Sequence, residues 1–63
     1  MYIVVYKDCV LYKAELKIDA MKFITNYAEK LNLEFWQQIS QFHRSTYNYY
    51  KNDIYYSFTI LKE

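Results

Sequence analysis

Not one of the 63 residues is glycine or proline. Average usage is about 7% glycine and 5% proline, so every tight turn in this chain has to be made without the residues that usually make them. The side chains best able to stand in are Asn and Asp, which tolerate positive φ and bond locally to the backbone. Asn32 and the pair Asn52-Asp53 are therefore the natural punctuation marks. The same absence excludes the glycine-rich loops that let backbone close on a nucleotide phosphate, and with them NTPase and dinucleotide chemistry of that kind.

Runs of β-forming residues lie between these marks. Residues 2–6, YIVVY, are β-branched or aromatic throughout, and 9–17, CVLYKAELK, alternate, with Val10, Tyr12, Ala14 and Leu16 on one side. A two-residue Lys7-Asp8 connection makes them a hairpin, although the favoured two-residue turns need positive φ and usually use Asn-Gly or Asp-Gly. Asp19 is placed to cap a helix over 19–31, whose buried stripe is Ala20, Phe23, Ile24, Tyr27, Ala28 and Leu31. Asn32 suits its left-handed end. Phe35, Ile39 and Phe42 then recur at helical spacing and predict a second helix, 33–43. Around Asn52-Asp53, Tyr47 and Tyr49 alternate on one side, and Ile54, Tyr56, Phe58 and Ile60 on the other, predicting a second hairpin. The expected fold is a single α+β domain over residues 1–63. It would be ββααββ, a four-stranded, mostly antiparallel sheet with helices packed on one face.

A domain this short buries only about 60% of its unfolded surface and usually needs help from disulfides, metals or self-association. One cysteine excludes an internal disulfide, and Cys9 with the lone His43 cannot complete a zinc site. No metal or cofactor is expected. Aromatic side chains, 22% of the chain, are the remaining internal resource, and dimerisation is the external one.

Chemistry is sparse. Cys9 and His43 form the only candidate thiol–imidazole pair, without an orienting group or oxyanion site. The seven carboxylates do not cluster. No catalytic residue is assigned, and the chain is read as a non-enzyme. The N-terminus lacks signal-peptide character and no apolar run reaches the roughly 18 residues of a membrane span; with a single free thiol, this points to the cytoplasm.

Net charge is +1 with no basic run, which argues against nucleic acid as the partner. A winged-helix reader of DNA is the runner-up, with 33–43 as recognition helix and 47–60 as wing. Its proposed recognition helix has no Lys or Arg, although folding could gather Lys13, Lys17, Lys22 and Arg44 onto one side. Nine tyrosines exceed what a small core needs. Most are explained as half-buried sheet residues. Tyr2, Tyr6, Tyr50 and Tyr55 read as exposed, and with Trp36, beside the Phe35–Ile39–Phe42 stripe, they are the candidate protein-binding residues. An open outer strand would also accept another strand, including one from a second copy.

Phe, Tyr, Met, Ile, Asn and Lys, encoded by A- and T-rich codons, supply 32 of the 63 residues, whereas Gly, Ala, Arg and Pro supply four. The composition suggests an AT-rich genome such as that of a phage or mobile element. The expected function is a small inhibitor docking on a host or defence protein, in the manner of an anti-CRISPR.

Overall fold

Three two-residue turns and one helix end, all built without glycine, set the architecture. A computed structural model describes residues 1–63. Its elements are β1 (Tyr2–Tyr6), β2 (Cys9–Ala14), α1 (Lys17–Lys30), β3 (Glu34–Gln41), β4 (Arg44–Lys51) and β5 (Ile54–Lys62). The strands form one fully antiparallel sheet in the order β2-β1-β5-β4-β3. First and last strands pair at its centre, Val4 opposite Ile60. Helix α1 is the crossover that carries the chain from one edge of the sheet to the other.

The turns show how the missing glycines are replaced. Lys7 and Asp8 take φ of 48° and 63°, and Asn52 and Asp53 take 51° and 65°, so both hairpins have left-handed residues at both central positions. His43 adopts φ 62° between β3 and β4. Asn32, at φ 56°, ends α1: the Leu33 N–H donates to Ala28 O (2.9 Å) and the Asn32 N–H to Glu29 O (3.0 Å), the paired bonds of a Schellman motif. Lys51 Nζ, reaching from β4, donates to Leu31 O at 3.1 Å and places a positive charge at the helix's negative end.

One face of the sheet carries the core. Val4, Ala14, Tyr47, Tyr49, Phe58 and Ile60 are buried there against Ala20, Ile24 and Ala28 of α1. The two helix alanines keep α1 close to the strands. Phe58, fully buried, is the hub: Tyr6 stacks on it at 5.0 Å, and Tyr27 and Tyr49 meet it edge-on at 5.7 and 5.8 Å. Most of the tyrosines are thus core or core-flanking, with Tyr2, Tyr6, Tyr27 and Tyr56 half-buried around that hub.

Two expectations need correction. The sheet has five strands and one helix, ββαβββ, not four strands and two helices. Residues 34–41 are a strand because β4 is strongly β-forming and has two edges to satisfy; β5 pairs with one and β3 with the other. The misleading helical spacing arose because β3 is exposed along its whole length, so no buried face imposes period two. A register shift between Phe35 and Gln37 also inserts Trp36 and breaks the alternation. As a strand, this segment leaves no second helix to enter a DNA groove. Helix α1 also starts earlier than predicted. Leu16 is its N-cap without a side-chain cap bond, and Asp19 sits inside the first turn, where its charge suits the helix dipole.

Candidate functional site

Helix α1 packs on β2, β1 and β5. The reverse face of the sheet has no covering element, and strand alternation assigns its residues: Ile3 and Val5 of β1, Thr59 and Leu61 of β5, Thr46, Asn48 and Tyr50 of β4, Ile39 of β3. Its middle is half-buried and aliphatic, formed by Ile3, Val5 and Leu61 with Thr46 and Thr59. Beside it, Ser57 Oγ donates to Asn48 Oδ1 at 2.6 Å across the β4–β5 pair, which satisfies the one buried amide on this face.

An aromatic group stands at the β3 corner of the same face. Tyr50 and Tyr55 are direct cross-strand partners whose rings lie 6.4 Å apart. The bulge in β3 gives Trp36 no cross-strand partner and brings its indole to 5.2 Å from the Tyr55 ring. Trp36 is 56% exposed and Tyr55 64%. Both values are high for residues usually kept from water, and Ile39, farther along β3 on the same face, is exposed as well. The Glu34 carboxylate beside the Tyr50 hydroxyl raises that phenol's pKa above the usual value by hydrogen bonding and charge. The group offers ring faces, one indole N–H and phenolic tips, with little charge.

Of the five residues singled out from sequence, the structure brings together Trp36, Tyr50 and Tyr55. Tyr2 and Tyr6 lie on the helix side of β1, half-buried against the core, with Tyr6 stacked between Phe58 and Tyr56. Sequence reasoning missed Ile39 as a member of the exposed group, because reading β3 as a helix assigned it to a buried stripe.

The other candidates disperse. Cys9 opens β2 beside Tyr6, whereas His43 is tied to Lys62 at the Tyr2 end of the central strands, so the two lie at opposite ends of the sheet. No three His, Cys, Asp or Glu side chains come together as a metal site. Lys13 and Arg44 belong to the open face on β2 and β4, Lys22 to the helix on the other side, and Lys17 lines a depression with His43, Arg44 and Lys62 at the Tyr2 end, so the four basic residues do not form one continuous face. Three depressions of about 130, 230 and 320 Å³ are all open to solvent, and none includes Cys9. No helix is long and apolar enough to cross a membrane. Compared with protein-family models, curated proteins and solved structures, the chain matches none.

Proposed function

We propose that this chain is a small, non-catalytic protein-binding module that docks on its partner through the uncovered face of the sheet, with Trp36, Tyr50 and Tyr55 as anchors. One observation carries the reading: an indole more than half exposed, grouped with two tyrosines on a face that no other element covers. Trp and Tyr dominate the energetics of protein interfaces because they present large, rigid area and a polar tip. The adjoining half-buried Ile3, Val5 and Leu61 supply the apolar centre such an interface needs, and Thr46 and Thr59 its hydrogen-bonding groups. Near-neutral charge favours a protein over nucleic acid, whose binding rests on phosphate contacts by Lys and Arg. A composition weighted towards residues with A- and T-rich codons supports a mobile-element inhibitor acting by occupying a host or defence protein's surface.

The test is affinity capture from a low-GC bacterial lysate, with and without nuclease, comparing the wild-type chain with Trp36→Ala/Tyr55→Ala. A specific protein that survives nuclease and is lost with the double variant supports the proposal. Recovery of nucleic acid alone, released at high salt, or a protein retained equally by the variant, overturns it.

A further inference from the structure

The two edges of the sheet are defended very differently. On β2, α1 packs against one face, Lys13 lies in the strand, and Lys7, Asp8, Glu15 and Lys17 flank it. Charge and cover of this kind keep edges from pairing. Strand β3 has neither. All eight of its residues are exposed, it contains no Lys, Arg or proline, and its single charge is Glu34 at one end. Phe35, Trp36, Ile39 and Phe42 along and just beyond it are 42–89% exposed. An edge this long and this neutral is a template for another strand.

We propose that β3 pairs antiparallel with β3 of a second copy, about a two-fold axis at Ile39, giving a continuous ten-stranded sheet. The register follows from the ladder already present. In an antiparallel pair, alternate residues of the edge strand turn their N–H and C=O outward. Counted from the Gln41–Arg44 pair that closes the two-residue turn, those residues are Ser40 and Gln38. Gln38 opposite Ser40 of the second copy, and the reverse, exchange four backbone hydrogen bonds. Ile39 then faces Ile39 of the second copy in the closer, non-hydrogen-bonded position, on the uncovered face of the sheet. Trp36 approaches the second copy's Phe42, whose ring lies 3.8 Å from that of its neighbour His43 and is otherwise 89% exposed. Charge agrees with this register. Glu34 is the only charge in β3 and lies at one end, so antiparallel pairing about Ile39 sends the two Glu34 carboxylates to opposite ends of the interface. Parallel pairing would place like against like. This interface shares Trp36 with the docking role proposed above but leaves Tyr50 and Tyr55 free.

The direct test places a cysteine at the axis. Non-hydrogen-bonded antiparallel partners have Cα atoms about 4.5 Å apart, inside the range a disulfide spans. In a Cys9→Ser background, Ile39→Cys is expected to oxidise to a covalent dimer at least tenfold faster than Val10→Cys, a control on the other edge that is the more exposed of the two (52% against 42%). Sedimentation of the unmodified chain should show mass rising from 7.8 kDa towards twice that between about 1 µM and 1 mM, the range suited to a small, edge-only interface. Ile39→Lys should remain monomeric, with a melting temperature equal to that of the wild type at concentrations where the wild type is itself monomeric. A monomer throughout that range, equal oxidation of the two cysteine variants, or a dimer indifferent to Ile39→Lys would each overturn the proposal. None of these readouts depends on the docking partner.

Discussion

Asp8→Gly should stabilise this protein, and Lys7→Gly should not. Both residues occupy the left-handed region, at φ 63° and 48°, where a Cβ crowds the following carbonyl at a cost of roughly 1–2 kcal/mol. Glycine removes that strain and gives back about 0.4–1 kcal/mol through the greater freedom of the unfolded chain. Asp8 is exposed, so the net gain is about 0.5–1 kcal/mol. For a domain of this size that corresponds to a rise in Tm of roughly 2–8 °C. Lys7 differs because its Nζ lies 5.4 Å from the Tyr6 ring centroid, and an exposed cation–π contact contributes about 0.5–1 kcal/mol. Its loss cancels the relieved strain. Thermal melts followed by circular dichroism, on both variants at one protein concentration, separate the two. A lower Tm for Asp8→Gly, or a larger rise for Lys7→Gly than for Asp8→Gly, would refute the assignment of strain to this turn.

Phe58→Ala should cost about 3–5 kcal/mol by emptying the aromatic hub, against a total stability of roughly 3–9 kcal/mol for a chain this long; far-ultraviolet circular dichroism at 25 °C is expected to show substantial unfolding. Tyr47→Phe should be neutral or stabilising near pH 7, because the Tyr47 hydroxyl is buried without a hydrogen-bond partner. Burial, and then the neighbouring Tyr49, push the Tyr47 pKa up; the Ser45 hydroxyl, near the phenol but not in hydrogen-bonding geometry with it, offsets only part of the shift. The folded state therefore holds this proton more tightly than the unfolded state, and the contribution, complete below the ordinary value of 10.0, is lost as pH climbs beyond it. Urea denaturation from pH 8 to 11 should show a shallower decline for Tyr47→Phe than for the wild type. Lys51→Met should lower stability by about 0.5–1 kcal/mol through loss of the bond to Leu31 O, measured by the same titration at pH 7.

The β1–β2 and β4–β5 hairpins could be read from the chain because their strands border a core: Tyr56, Phe58 and Ile60 alternate with more polar residues since one side faces α1. Asn32 and Asn52-Asp53 were legible for a related reason, being among the few residues suited to positive φ in a chain without glycine. Strand β3 was not. Exposure along its full length removes the alternation that burial enforces, and the bulge at Trp36 shifts its parity, leaving a spacing of apolar residues that imitates a helix. The same error divided the candidate site. Trp36, Tyr50 and Tyr55 lie on one face only because 34–41 is a strand beside β4. Tyr2 and Tyr6 were placed on the solvent side because YIVVY is apolar at every position and carries no sign of which face is inward. The partner strand decides it: Val4 opposite Ile60 turns Tyr2 and Tyr6 towards the helix.

Trp36 is the only tryptophan in the chain, so the docking surface contains its own probe. The decisive measurement is the fluorine NMR signal of 5-fluorotryptophan at this position. It should be recorded for the free protein, at concentrations where its shift is constant, and again with the captured partner protein. The account predicts a solvent-exposed signal that moves and broadens on binding, and loses its sensitivity to solvent deuteration, as the indole is buried at the interface. A saturated complex in which the Trp36 signal keeps its free shift and solvent sensitivity would contradict the claim that this face is where the partner docks.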